Sequence, residues 1–189
     1  MSASIVRTQV IHSGWTTLMV ATIRDRNGSE FNREIEDHGQ AVGVLPYDPG
    51  RRVALLVRLA RAPVLYAGES GELLEAPAGM IEDGDGAEET VRREAFEEAG
   101  LRLGALEPVA RAWSSPGLST ERIALFLAPY SAAERTGQGG GLESENENIT
   151  VVEVPLAELW SMVELQELTD LKTLAMVLAL KVRQPQLFD

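Results

Sequence analysis

The chain has 189 residues, 44% of them hydrophobic and 24% charged, and a net charge of −12. That size and balance fit one globular core with room for a small extension. With no cysteine and two histidines, disulfides, zinc–thiolate centres, thiol nucleophiles and a histidine-rich metal site are excluded, and the acidic balance argues against a nucleic-acid partner.

Ile5 to Ile11 and Trp15 to Ile23 are β-rich runs, and Asn27-Gly28 is a hairpin signal that turns the chain into a return strand from Glu30 to Glu36. These runs predict a small antiparallel sheet over residues 1–38. The joint Asp37-His38-Gly39 sets it off from a main domain over 39–189. Gln40 to Leu45 and Val53 to Leu59 read as strands around the turn Tyr47-Asp48-Pro49-Gly50, and Leu73 to Pro77 as a short strand. From Ala87 to Ala99 there is neither Pro nor Gly and good helix formers dominate, which predicts a helix with Gly100 suited to its C-cap. Val109 to Trp113, Ile123 to Pro129 and Ile149 to Val154 are strand-like. Leu156 to Met162 and Asp170 to Val182 are helical, the second opened by Thr169 or Asp170 as N-cap. Gly139-Gly140-Gly141 is not a P-loop, because no Lys-Ser/Thr follows. Strands interleaved with two or three helices predict an α+β domain. No apolar run reaches the length of a membrane span, and the first residues lack a signal peptide's apolar core. A cytoplasmic protein with no membrane partner is expected.

The helix over 87–99 carries the chemistry. Residues three and four apart share a face, so Val91, Ala95 and Ala99 form an apolar stripe that seats the helix on a core. Glu94, Glu97 and Glu98 crowd the neighbouring stripe, where like charges repel and Arg93 offsets part of the cost through Glu97. A hard divalent cation such as Mg²⁺ takes oxygen ligands and can gather such carboxylates. Glu88 and Glu89 read as a solvated face.

From Gly79 to Leu101 the chain resembles the signature of the Nudix hydrolases. Gly79, Arg93, Glu94, Glu97, Glu98 and Gly100 fall at the family's spacing, and Asp85 stands where the family has Glu. Ser115-Pro116-Gly117, with Glu121 close behind, and the acidic run Glu143, Glu145, Glu147 resemble the ADP-ribose and nucleotide-sugar pyrophosphatase branch. Tyr130-Ser131, Arg135 and Gly139-Gly140-Gly141 are similar to the bacterial GDP-mannose pyrophosphatases within it. Arg58 and Arg61 keep the ends of that branch's Arg-Gln-Phe-Arg segment, with Leu59 and Ala60 in the middle.

The resemblance implies a Nudix fold, a mixed sheet sandwiched between helices, with the N-terminal sheet swapped across a homodimer. It implies hydrolysis of the diphosphate in ADP-ribose or a nucleotide sugar such as GDP-mannose, giving a nucleoside monophosphate and a sugar phosphate. The implied cofactor is Mg²⁺, with Mn²⁺ able to substitute. Glu94, Glu98, Glu147 and the carbonyl of Ala78 are the implied metal ligands. Glu145 is the implied base, Glu97 the next candidate, and Arg93 belongs to the catalytic set. Arg58, Arg61 and Glu121 are the substrate-binding candidates. For Glu121 a ribose or metal contact stands beside a surface role, and for Trp113 nucleobase stacking stands beside a core role. Two other readings are a hydrolase of another dinucleotide and a ligand-sensing module that kept the fold without catalysis. Intact Glu94, Glu97 and Glu98 count against the second.

Overall fold

The computed structural model describes residues 2–69, 71–142 and 148–189. The chain divides into two compact units, residues 1–41 with 111–123 and residues 42–110 with 124–189.

In the first unit, β1 (Ser4–Ser13), β2 (Thr17–Arg24) and β3 (Glu30–Asp37) form an antiparallel sheet in that order. The β2–β3 turn is built by Asp25, whose carboxylate accepts the N–H groups of Asn27 at 2.8 Å and Ser29 at 2.9 Å. Gly28 takes a φ of 86°, a conformation that favours glycine. The far edge of β3 meets the segment after Ser115. Glu36 N–H donates to Leu118 O at 2.9 Å, and Thr120 N–H returns to Glu36 O at 3.0 Å.

The second unit is built on a mixed sheet in the order β10 (Thr150–Pro155), β5 (Val53–Ala60), β4 (Ala41–Asp48), β9 (Arg122–Pro129), β8 (Glu107–Trp113), with β6 (Glu72–Glu75) on β5 and β7 (Ala78–Met80) on β4. Its helices are α1 (Ala62–Tyr66), α2 (Ala87–Ala99), α3 (Leu156–Glu164) and α4 (Leu171–Arg183). β4 is the central strand and all its residues are buried, which explains its unbroken apolar run. Its side chains alternate between two covered faces. Val42 and Val44 pack with Val91, Ala95 and Ala99 of α2. Gly43 faces the other way, toward Lys172 and Met176 of α4. The fold is therefore α+β, with helices on both faces of the sheet. No helix among the described residues is long and apolar enough to cross a membrane.

Several elements differ from the expectation. α1 has only five residues, none of them buried, so it leaves no apolar period in the sequence. β7 lies inside the glycine-containing stretch and is set by pairing to β4, not by its own composition. β4 runs on through Asp48, whose carboxylate then organises the turn by accepting Gly50 N–H at 2.9 Å and Arg51 N–H at 3.0 Å. Of the two N-cap candidates for α4, Asp170 is the cap, accepting Thr173 N–H at 2.9 Å.

Candidate active site

The α2 carboxylates close onto the short strand β7. Glu98 is 3% exposed, and its Oε2 accepts the backbone N–H of Ala78 at 3.0 Å. Gly79 faces the carboxyl group of Glu94 so closely that a Cβ there would overlap it. Glycine at this position is thus a matter of space, and Glu94 occupies that space. Arg93 holds the stripe together, with Nη2 2.9 Å from Glu94 Oε1 and Nη1 donating to Glu97 Oε2 at 3.1 Å. Nη2 also lies 3.6 Å from Glu82 Oε1. The loop partner of Arg93 is therefore Glu82. Asp85, which stands where the family has Glu, is exposed, with its backbone N–H in a turn to Glu82 O.

These donors suit a hard cation. Glu94 and Glu98 bring carboxylate oxygens to β7, and Mg²⁺ is commonly held by one or two carboxylates with several waters. Among the described residues no three His, Asp or Glu side chains form a ready-made metal cage. A cation held by Glu94 and Glu98 would therefore draw further oxygens from backbone, water or the acidic run.

Glu145 and Glu147 lie outside the described residues, but the chain on either side is placed. Gly100, at a φ of 70°, ends α2, and a Cβ there would overlap Gly137 O. The glycine run then caps the helix with its own backbone, as Gly140 N–H donates to Glu98 O at 2.9 Å and Gly141 N–H to Glu97 O at 3.1 Å. A Cβ on Gly139 would overlap Glu98 O in turn. Ile149 N–H returns to Gly140 O at 3.4 Å, so both flanks of the acidic run are fastened at the carboxylate-bearing end of α2. The sequence showed the glycines but not their task of satisfying the last carbonyls of a helix.

Each substrate-binding candidate has its own setting. Arg61 forms a two-pronged pair with buried Glu75, Nε to Oε1 at 2.7 Å and Nη2 to Oε2 at 3.0 Å. Arg58 is exposed on β5. Glu121 belongs to the first unit and sits 3.1 Å from His38 Nε2, while Glu36 contacts His38 Nδ1. Burial pulls the His38 pKa down, but the hydrogen bonds and attraction of Glu36 and Glu121 outweigh it and leave the pKa raised. Trp15, which is 79% exposed, stacks on His38 with ring centroids 5.0 Å apart. Trp113 is exposed beneath the Arg122 guanidinium, whereas Tyr47 is core, its hydroxyl accepting from Gln184 at 2.7 Å. Glu75, Lys172 and His38 left no motif in the sequence, because each takes a partner from a distant segment.

Residues 37–175 match the NUDIX domain family. The chain is 37% identical over 163 residues to the GDP-mannose pyrophosphatase of Cronobacter sakazakii, covering 86% of this chain and 84% of that protein. It is 35% identical over 178 residues to the enzyme of the same name from Pectobacterium atrosepticum, covering 92% and 91%. A solved structure described as an ADP compounds hydrolase superposes with a TM-score of 0.76 at 19% identity, covering 97% of both chains.

Proposed function

The chain belongs to the NUDIX family, and from that premise we propose that this hydrolase cleaves the diphosphate of a nucleotide sugar, GDP-mannose or ADP-ribose, in a Mg²⁺-dependent reaction. The observation that carries the proposal is the closure of Glu98 and Glu94 onto Ala78 and Gly79, with Arg93 bracing Glu94 and Glu97. The likeness to GDP-mannose pyrophosphatases over most of the chain supports the substrate class.

In this proposal Glu94, Glu98, the Ala78 carbonyl and Glu147 hold the cation, which neutralises charge on the diphosphate. Glu145 takes a proton from water, and Glu97 is the alternative base. The water oxygen bonds to one phosphorus and the anhydride P–O bond breaks. A nucleoside monophosphate and a sugar phosphate leave. Arg93 keeps the carboxylates from repelling one another before substrate arrives. Arg58 and Arg61 serve the substrate phosphates, Arg61 from within its pair with Glu75. The three-stranded sheet, residues 1–38, packs against a second copy in a twofold homodimer. Support comes from β1, which is exposed along its whole length and carries Ile5, Val6, Val10 and Ile11.

The test is a panel of nucleoside diphosphate derivatives with Mg²⁺, scored by product. GMP with mannose 1-phosphate, or AMP with ribose 5-phosphate, is the expected outcome. No cleavage of any nucleotide sugar or ADP-ribose would refute it.

A further inference from the structure

A second cluster of buried charge lies at the start of α4. Glu75, at the end of β6, is 2% exposed and meets both Arg61 and Lys172. Lys172 Nζ also donates to Asp170 Oδ1 at 3.1 Å. Asp170 Oδ2 accepts the Thr173 hydroxyl at 2.5 Å, and that hydroxyl oxygen accepts the N–H of Ala76 at 2.7 Å. Thr173 is fully buried. Burial raises the Glu75 pKa, but the Arg61 hydrogen bond and the attraction of Lys172 and Arg61 overcome it and leave the carboxyl below its ordinary value.

A buried ion cluster is weak evidence for stability, since apolar residues of similar volume often serve as well. Its position says more. Between Glu75 and Gly79 the chain reads Ala76-Pro77-Ala78, and Pro77 has no N–H. The two remaining backbone donors both go to side chains from helices, Ala76 to Thr173 of α4 and Ala78 to Glu98 of α2. Pro77 O meanwhile accepts from Val44 N–H at 2.9 Å. The segment that meets Glu98 and Glu94 is thus fastened from one side by the first turn of α4, 97 residues away in the chain.

We propose that Thr173 and Lys172 are positioning residues for the cation site: through Ala76 and Glu75 they fix the height of Ala78 and Gly79 against the Glu98 and Glu94 carboxylates. This rests on the assignment of Glu94 and Glu98 as cation ligands. Groups bonded directly to metal ligands commonly change affinity by about 10–100-fold when removed, and Thr173 and Lys172, a link further back, are expected at the low end of that range.

The test measures Mn²⁺ binding to the apoprotein by the loss of free-ion EPR signal, alongside thermal melts and the Mg²⁺ concentration for half-maximal turnover. Thr173→Val keeps the shape and removes the hydroxyl. It should weaken Mn²⁺ binding about tenfold and leave KM at saturating metal unchanged, and Thr173→Ser should restore the affinity. Lys172→Met should weaken Mn²⁺ binding in the same direction, and it decides the matter if Thr173→Val does not fold. Folded variants with wild-type Mn²⁺ affinity, whatever their melting temperature, would overturn the proposal. Glu98→Gln separates the two levels. If it too binds Mn²⁺ like wild type, the cation assignment fails. If it loses binding while the α4 variants do not, only the positioning role fails.

Discussion

Glu98 accepts the backbone N–H of Ala78 at 3.0 Å, so one buried carboxylate pins β7 to α2. Glu98→Gln keeps an acceptor for Ala78 and removes the charge. The fold should persist and turnover should fall by about a hundredfold or more, the scale of a lost transition-state stabiliser. Steady-state kinetics with a melt as control measures this, and near-wild-type turnover would remove Glu98 from the site.

The acidic run separates a base from a metal ligand. Glu145→Gln should lower kcat with little change in KM, the pattern of a contact made mainly in the transition state. Glu147→Gln should also raise the Mg²⁺ concentration needed for half-maximal rate. Wild-type kinetics for Glu145→Gln would shift the base to Glu97, which stands 3.1 Å from Arg93 on α2.

His38 gives the first unit a pH dependence of known sign. Its folded pKa is raised above the ordinary 6.5. Its contribution to stability is therefore fully present below 6.5 and is lost as pH rises through the raised folded value. Glu36 acts at the other end. Burial raises its pKa, but hydrogen bonds from Thr16, Ser119 and His38 lower it further, so its contribution is lost as pH falls through that depressed value. The melting-temperature gap between wild type and His38→Gln should be widest near pH 6 and narrow on the alkaline side. A gap that grows with rising pH contradicts this.

Gly100 carries two constraints at once, a φ of 70° and the contact with Gly137 O. Gly100→Ala should destabilise by about 2 kcal/mol or more, from the left-handed backbone and the overlap together. Urea unfolding checks the loss. An unchanged midpoint would mean that the 137–141 segment can leave α2 without cost.

A chain that exposes every residue of β1 should associate. Sedimentation at micromolar concentration is expected to show a dimer, and deletion of residues 1–38 should reduce solubility. A wild-type monomer would refute the twofold assembly.

The local pattern alone determined a great deal. Ala87 to Ala99 is one helix, because nothing inside it breaks the helix and Gly100 ends it. The Asn27-Gly28 turn, the central apolar strand and the apolar stripe Val91, Ala95 and Ala99 are all short-range signals that survive folding. The spacing of Arg93, Glu94, Glu97 and Glu98 was legible for the same reason, since one turn of helix fixes which side chains are neighbours. What only tertiary structure decided are the pairings across long stretches of chain. Glu75 with Lys172, Ala76 with Thr173, His38 with Glu121 and the glycine run with the end of α2 involve residues whose types allow many partners. Arg61, a substrate-binding candidate in the sequence, is paired with Glu75. Glu82, not Asp85, meets Arg93, because the turn after β7 sets which loop carboxylate points at the helix. A hydrogen bond or ion pair between distant segments is specified by the packing of the sheet and its helices, and no local spacing encodes it.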